Sequence, residues 1–563
     1  MLQRLLLVLL GITMTTTSIS AAAARTPSAK ADNTYLQLLE LFEQWRAFEQ
    51  PPLRDGAPDY SAARFAAAHQ QLKAFQQRLG AIETDAWPID QQVDWKLVQA
   101  EMHGFDFNHR VLQPWVRDPA FYQTLHMEQS DVPAHEGPTN HATLEVWTYL
   151  FPLSEPDAAR MADALAVIPP LLKQARENLT GNARDLWIAG IRNLQQQGAD
   201  LIWLQEHVGP AARPNFTAQL RAAQTATADF VAWLQREAPN KTGPSGVGKD
   251  HYTWYQQNVH LVPLTWQQEV DLLQRELDRA WSSLHLEEQR NRSLPPMQAA
   301  NTPEAFAALT ERGVQRLMKF LDDKQIMPIK PNMEPALRAQ MGSFVAEDKR
   351  NFFAIGMHYD PVPLYTHFYH WFELAQVRDK PHASPIRRGP LLYNIWDSRM
   401  EGMATGVEEM FLHAGLYDDS PRSREIVWIM LAQRAARGLG SLYAHANDMT
   451  MEQASQVHVT WTPRHWMQRE PDLLKFEQHL YLRQPGYGTS YVVGKYLLER
   501  LMAKAAKQQE ARDAPFVMKA FFKQVNDIGA IPLSLVELEM VGTAAGLEDK
   551  PHPQGRTQAA PEK

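Results

Sequence analysis

The sequence predicts an all-α protein, from three observations. Apolar residues recur at spacings of three and four, as in the run formed by Leu38, Leu41, Phe42, Trp45 and Phe48, and this is the period of an amphipathic helix. Runs that alternate apolar and polar residues, as strands do, are scarce. The 38 prolines in a chain rich in helix-forming residues indicate many helices that are stopped often. No repeat of fixed period is found, which argues against a solenoid.

The first 24 residues predict a signal peptide. Arg4 supplies a positive charge, residues 5–12 form an apolar run, and residues 22–24 are three alanines suited to cleavage. The apolar run is too short to span a bilayer as a helix. The alternative is an uncleaved segment that tethers the protein to a membrane.

Composition narrows the class of partner and the compartment. The chain has no cysteine, so neither disulfides nor lipid attachment at a cysteine is available. The 64 acidic residues exceed the 56 basic ones without any basic block, which argues against nucleic acid as a partner. We expect a periplasmic or secreted protein without stable membrane insertion, whose oligomeric state the sequence leaves open.

The chain divides into two predicted helical halves. The N-terminal half covers residues 34–245 and the C-terminal half, with the candidate site, residues 246–547. Between them, residues 237–250 contain two prolines and three glycines, which predicts a linker or a loop at the rim of an active site. Residues 25–33 and 548–563 are polar and are predicted to be disordered.

The best candidate chemistry lies on two predicted helices, over residues 365–378 and 391–412. His367, His370 and Glu373 are spaced three apart on the first helix, and therefore share one face. Glu401 and Glu408 are seven apart on the second helix and also share a face. Two histidines and a carboxylate are donors that zinc prefers, with a fourth position left for water.

Two alternatives stay open for these side chains. The histidines sit among aromatic residues and could be a buried structural pair, with the glutamates facing solvent. A second reading is a substrate cavity, for which Tyr365, Tyr369 and Trp371 are the predicted aromatic lining, together with Arg437 from later in the chain.

Other histidine-containing stretches are weaker candidates. His135, Glu136 and His141 do not have the spacing of a zinc-binding helix motif, and Gly-Pro follows the glutamate, so we predict a polar loop. Residues 251–260 combine two histidines with two tyrosines and could line a pocket. No nucleophile-elbow motif and no phosphate-binding glycine loop is present.

Several stretches of the C-terminal half follow one family pattern. They are residues 400–404 (Met-Glu-Gly-Met-Ala), 415–419 (Gly-Leu-Tyr-Asp-Asp), 435–437 leading to His445, 484–494 (Gln-Pro-Gly to Ser-Tyr-Val-Val-Gly), 529–533 leading to Leu538, and the tyrosine-rich residues 252–265. By these stretches, residues 246–543 resemble the bacterial family called domain of unknown function 885 (DUF885), which is similar to zinc metallopeptidases.

The resemblance implies a large two-lobed helical fold around a central cleft. It also implies that Glu401 is a metal ligand, and that His445 and Tyr491 line the site and stabilise an oxyanion. The family's motif His-Glu-x-x-Pro-Gly-His-His is missing from residues 357–373, where three histidines remain. Ser441 also replaces the aspartate that the family has before Gly-Leu-His.

The missing motif leaves two hypotheses. In the first, the site is rebuilt with His367, His370 and Glu401 as zinc ligands and Glu373 or Glu408 as the general base. The protein would then hydrolyse an amide bond in a small peptide or peptide-like compound. In the second, the metal is lost and the protein is a ligand-binding or scaffold protein, or catalyses with carboxylates alone.

Overall fold

The computed structural model describes residues 29–542, except 136, 212–213 and 468–470. Within this part the chain is helical with very short strands, which confirms the predicted all-α class. The predicted signal peptide and C-terminal tail lie outside the described residues. The first helix begins at Ala29, inside the segment 25–33 that the sequence predicted to be disordered.

The α-helices of the described part are numbered in chain order. They are α1 (Ala29–Glu49), α2 (Ala62–Gly80), α3 (Ile89–Phe107), α4 (Pro114–Arg117), α5 (Glu155–Leu165), α6 (Ile168–Asn178), α7 (Arg184–His207), α8 (Pro214–Glu237), α9 (Lys249–Asn258), α10 (Trp266–Arg290), α11 (Pro303–Asp323), α12 (Met333–Arg338), α13 (Phe352–Tyr359), α14 (Val362–His367), α15 (Tyr369–Asp379), α16 (Asp397–His413), α17 (Ser423–His445), α18 (Met451–Trp461), α19 (Pro471–Arg483), α20 (Tyr487–Glu510), α21 (Met518–Ile528) and α22 (Leu533–Val541).

The remaining regular elements are short. Strands β1 (Leu53–Arg54) and β2 (Ala57–Pro58) pair antiparallel, and β3 (Leu125–His126) and β4 (Leu144–Glu145) pair parallel. A π-helical turn, Asn108–Leu112, continues α3. The 3₁₀ turns are Pro119–Tyr122, Val146–Thr148, Gly209–Ala211, Ala238–Asn240, Glu347–Lys349, Leu392–Asn394 and Pro463–His465. No helix of the described part has both the length and the apolar content needed to cross a membrane.

Two hydrophobic cores hold the fold together. The smaller core joins α5 to α8 and includes Trp187 and Phe230. The larger core packs Trp45 of α1 and Leu97 of α3 with the helices of the C-terminal half, for example through Trp396. Because the larger core includes residues from both sides of the predicted boundary at 245, the first three helices are part of the body that carries the candidate site.

Helices α16 and α20 pack with almost no space between their backbones. A Cβ atom added to Gly402 of α16 would lie 2.4 Å from Cα of Gly494 in α20. A side chain at either position would therefore push the helices apart. The close approach brings the start of α20 alongside Glu401, which precedes Gly402.

Both helices predicted to carry the candidate chemistry differ from the prediction. The helix expected over residues 365–378 is two helices, α14 and α15, that meet at Phe368, whose ψ of 14° interrupts the helical path. The helix expected from residue 391 begins at Asp397, because Tyr393 and Asn394 have positive φ values of 57° and 53°. The Tyr393 hydroxyl donates to Glu49, at 2.6 Å, which fixes this break against α1.

The glycine-rich segment 237–250 is tied to both halves of the chain. Oγ of Ser245 accepts from the backbone N–H of Asp185, at 2.9 Å, and the N–H of Gly246 donates to Asn447, at 2.8 Å. The N–H of Gly248 donates to the carbonyl of His445, at 2.8 Å. The segment is therefore anchored to both halves of the chain, and its residues 245–247 are buried.

Candidate metal centre

Three buried side chains converge where α14, α15 and α16 meet. His367 ends α14, His370 lies in the first turn of α15, and Glu401 lies in the second turn of α16. One ligand atom from each residue lies within 4.8 Å of the other two. Nε2 of His370 is 3.1 Å, and Nε2 of His367 3.6 Å, from Oε2 of Glu401. The structure thus brings together the three residues predicted as metal ligands.

The break at Phe368 sets the relative orientation of the two histidines. Because His367 and His370 belong to different helices, their geometry is not that of residues three apart on one helix. Their ring centres are 5.0 Å apart and the ring planes are nearly perpendicular, at 82°. Each ring can therefore direct one nitrogen towards the same carboxylate oxygen of Glu401.

Further side chains hold these three in place. The hydroxyl of Tyr487 donates to Oε1 of Glu401, at 2.6 Å, which leaves Oε2 facing the histidines. Behind His367, Nδ1 lies 2.9 Å from Oε1 of Glu408. The second oxygen of Glu408 accepts from Arg434, at 2.6 Å.

The charges in the cluster are coupled. Burial by itself would lower the pKa of His370, but the carboxylates of Glu401 and Asp131 outweigh burial and raise this pKa to about 9. Burial would raise the pKa of Glu401, yet His370 and Tyr487 hold it below its usual value. Burial, with Arg434 and His370, lowers the pKa of His367 well below its usual value. At neutral pH the group therefore combines an imidazolium, a carboxylate and a neutral imidazole.

Both glutamates predicted as a general base face arginines. Glu373 lies 2.5 Å from Nη2 of Arg399, and burial raises the pKa of Glu373 in spite of this arginine. Burial raises the pKa of Glu408 to about 7, although Arg434 opposes the shift. Oε1 of Glu408 also faces Nδ1 of His367, but the contact lacks the geometry of a hydrogen bond.

Tyr491 and Arg437 lie beside the cluster. The Tyr491 ring is 6.0 Å from the His367 ring, with the planes 17° apart. The guanidinium carbon of Arg437 is 4.0 Å from the centre of the Tyr491 ring, and its Nη1 donates to Glu477, at 2.5 Å. Burial and the charge of Glu401 raise the pKa of Tyr491 well above its usual value. Its hydroxyl therefore stays protonated at neutral pH.

The other predicted site residues have their described contacts elsewhere. Nε2 of His445 lies 2.8 Å from the carbonyl of Tyr481, and burial lowers the pKa of this histidine to about 4. The hydroxyl of Tyr365 donates to the carbonyl of Met341, at 3.3 Å, and that of Tyr369 to Asn526, at 2.7 Å. Trp371 is half-buried on α15. These contacts join α14 to the loop after α12 and α15 to α21, and give no support to a substrate-binding role for the two tyrosines.

The other histidine-containing stretches are away from the cluster. His135 stacks on His126 with ring centres 4.0 Å apart, and Nδ1 of His141 lies 3.0 Å from the hydroxyl of Tyr60. His135, His141 and Tyr255 line one cavity. Glu136 is outside the described residues.

Sequence reasoning missed two residues of the cluster. Asp131, from the loop before His135, is half-buried, and its charge acts on both His370 and Glu401. Its position depends on packing between residues more than 200 apart in the sequence, for which periodicity gives no signal. Tyr487 lies inside the stretch 484–494 that carried the family resemblance, so a signal for this residue was present.

The comparisons with known proteins agree with the fold. A solved chain from Shewanella oneidensis, described as a candidate lipoprotein of unknown function, has a TM-score of 0.63 at 15% identity, covering 91% of this chain and 98% of that chain. A candidate lipoprotein from Colwellia psychrerythraea has a TM-score of 0.63 at 14% identity, covering 92% of this chain and 99% of that chain. At such identities the likeness shows the fold alone. No curated protein matches this chain.

The family resemblance is confirmed by a match to a family model. The matched region, residues 370–540, begins at His370 and includes Glu401, Tyr487 and Tyr491. The family is described as "Bacterial protein of unknown function (DUF885)". Residues 370–540 of the chain are therefore similar to the bacterial family DUF885.

Proposed function

We propose that His367, His370 and Glu401 bind one zinc-like divalent ion and that the site hydrolyses an amide bond in a small peptide or peptide-like compound. The convergence of the three buried donors carries the proposal. Zinc bonds of 2.0–2.1 Å in tetrahedral geometry separate the donor atoms by about 3.3 Å. The distances of 3.1 and 3.6 Å from Oε2 of Glu401 to the two histidine nitrogens lie on either side of this value.

The surroundings of His367 fit a ligand better than a structural histidine. Metal-binding histidines usually direct their second ring nitrogen to a carboxylate, which fixes the ring and increases its basicity. Glu408 occupies this position at 2.9 Å and is itself held by Arg434. If His367 bound no metal, the buried pair of Glu408 and Arg434 would contribute little to stability, because desolvation offsets the attraction within buried ion pairs.

The protein groups around the three ligands divide the remaining tasks. A bound ion would polarise the scissile carbonyl and lower the pKa of a water molecule. Tyr487 keeps one oxygen of Glu401 directed at the histidines. The ring of Tyr491 lies 6.0 Å from that of His367, and its protonated hydroxyl would donate to a developing oxyanion. Arg437, stacked on the same ring, adds positive charge there.

We assign the general base to Asp131. Glu373 and Glu408, the bases predicted from the sequence, are both engaged by arginines. Asp131 interacts electrostatically with His370 and Glu401, and burial raises its pKa. A carboxylate can accept the proton of a water molecule during hydrolysis. A carboxylate from the loop before His135 would then replace the glutamate of the missing family motif.

We also infer that the protein works in the cell envelope or outside the cell. The first 24 residues have the pattern of a signal peptide. The two similar structures are described as candidate lipoproteins and come from Gram-negative bacteria. This chain has no cysteine to carry a lipid, so it would not be anchored to a membrane by a lipid on cysteine.

Elemental analysis of the purified protein tests the metal centre. We expect about one zinc-like ion per wild-type chain and a loss of at least tenfold in Glu401→Gln and in His370→Ala, because each variant removes a ligand. His413→Ala is the matched control, since His413 is an exposed histidine on the same helix as Glu401. A metal-free wild type that also fails to take up added zinc would contradict the proposal and favour a metal-free binding protein.

A peptide-library assay of the zinc-loaded protein tests the reaction and the base. Asp131→Asn should retain the ion but lose activity about 100-fold or more, the usual contribution of a general base. Asp131→Asn with full activity would remove Asp131 from the mechanism. A zinc-loaded wild type without amidase activity would refute the hydrolase and leave the metal site intact.

A further inference from the structure

A cavity is lined by residues from both halves of the chain. Its volume is about 350 Å³, within the range of pockets that bind small molecules. The π-helical turn after α3, helix α2, the loop around His141 and residues 390–394 enclose it. It shares no lining residue with the group of His367, His370 and Glu401.

One wall of this cavity is aromatic. The rings of Phe65 and Trp115 are stacked, with centres 3.6 Å apart and planes 11° apart. His109 packs on Phe105, with ring centres 4.0 Å apart, and burial lowers the pKa of His109 to about 4. The wall is therefore aromatic and uncharged at neutral pH, although the ring of His109 is tilted by 70° from that of Phe65, and it can make apolar contact with an aromatic ligand.

The side chains that line the cavity carry a net positive charge. Arg64 is half-buried, donates to the carbonyl of Phe48 at 3.3 Å, and forms no ion pair with a carboxylate of the described residues. Arg483 is paired with Asp118, at 2.6 Å. Burial raises the pKa of Glu49 to about 8, so this carboxyl group is largely neutral at pH 7. Asp59 also lines the cavity and accepts from the N–H of Ser61, at 2.9 Å. Arg64 is thus a cation available to an anionic ligand.

The backbone of the walls is unusual in two places. Tyr393 and Asn394 have positive φ values although neither is glycine, a strained conformation that clusters at functional sites. The turn Asn108–Leu112 is π-helical, and such turns occur frequently at functional sites. Both features line the same cavity.

We propose that this cavity binds a small planar aromatic carboxylate, with the carboxylate on Arg64 and the ring against Phe65 and Trp115. A charge-assisted pair between guanidinium and carboxylate supplies direction and affinity, and the stacked rings supply apolar contact. The site is distinct from the proposed metal centre and does not depend on a bound metal.

Calorimetric titration of the chelator-treated mature protein tests this site. The probes are benzoate, 3-phenylpropionate and indole-3-acetate, each with its neutral amide. We expect at least one carboxylate to bind with 1:1 stoichiometry and its amide to bind about tenfold or more weakly, because the amide loses the charged partner of Arg64. This comparison uses the wild-type protein and does not depend on the folding of any variant.

Arg64→Met should reduce the affinity for the carboxylate by about tenfold or more and leave the affinity for the amide unchanged. Arg78→Met is the matched control, because Arg78 lies on the same helix. Its guanidinium carbon is 5.5 Å from the centre of a phenylalanine ring, and that of Arg64 is 5.7 Å from the centre of another. His370→Ala should bind the carboxylate as the wild type does, which separates this site from the metal centre. Failure of all three carboxylates to bind, or equal binding by Arg64→Met, would overturn the proposal.

Discussion

At the scale of single residues, the candidate metal centre buries several ionisable groups by alternating their charges. Glu401 lies between the imidazolium of His370 and the hydroxyl of Tyr487, and Glu408 lies between His367 and Arg434. Each charge has a partner of opposite sign or a hydrogen-bond donor, which buried charges require. Removal of one member should therefore affect its neighbours more than the overall fold.

Glu408→Gln should weaken zinc binding by about 10- to 100-fold, because the group that orients His367 loses its charge. Competition for zinc with a coloured chelator measures this change. Glu409→Gln is the matched control, since Glu409 is the next residue on α16 and pairs with Arg279, at 2.7 Å, rather than with a proposed ligand. Equal zinc affinity in both variants would show that Glu408 has no orienting role.

Glu101 predicts a pH dependence of stability. This side chain is fully buried on α3, and burial raises its pKa from 4.5 to about 7, although Arg46 opposes the shift. Between pH 4.5 and about 7 the folded state keeps a proton that the unfolded state has lost. Neutral Glu101 therefore contributes at most about 3 kcal/mol to the free energy of unfolding. This contribution is complete below pH 4.5 and is lost as the pH rises to 7.

Glu101→Gln should remove this dependence, because glutamine keeps an oxygen to accept from the N–H of Leu392 and cannot ionise. Urea unfolding at pH 5 and pH 8 should show the variant gaining stability relative to the wild type at the higher pH. Glu43→Gln, on the exposed side of α1, is the control and should change little at either pH. A constant difference between Glu101→Gln and wild type across this range would contradict the raised pKa.

At the scale of elements, the contact of α16 with α20 positions the site. Gly402 and Gly494 let the two backbones touch, and this contact places Tyr487 of α20 against Glu401 of α16. A sequence pattern marks both glycines but does not say that they face each other. The close approach is a property of the pair of helices.

Gly402→Ala should lower the free energy of unfolding by about 1–3 kcal/mol or more, because the new methyl group meets backbone atoms that cannot rotate away. Urea denaturation measures the loss, and zinc content shows whether the site moves with the helices. Gly80→Ala is the control, since a Cβ atom at this helical position meets nothing within 4 Å. An unchanged free energy of unfolding in Gly402→Ala would mean that α16 and α20 do not touch at Gly402.

At the scale of the whole molecule, the two cores do not follow the order of the chain. Helices α1 and α3 pack into the larger core together with the C-terminal helices, whereas the smaller core is built from residues 57–234. The cavity proposed to bind an aromatic carboxylate lies where early and late residues meet. Packing thus joins segments that are more than 400 residues apart, such as α3 and α22.

A fragment of residues 246–547 should not fold by itself, because it lacks the apolar side chains that α1 and α3 bury in the larger core. Circular dichroism and thermal unfolding should show a broad transition or none, compared with a sharp transition for residues 25–563. A fragment that unfolds cooperatively within a few degrees of the longer protein would contradict the shared core and support the predicted division into halves.

The sequence by itself determined the helical class, the resemblance to DUF885 and the three proposed ligand residues. Helical periodicity, proline positions and the family stretches are all patterns of residues close together in the chain. The tertiary structure decided the break at Phe368, the late start of α16 at Asp397, the arginine partners of Glu373 and Glu408, and the approach of Asp131. These features depend on which distant side chains pack together, because a buried charge takes its partner from whichever element lies beside it.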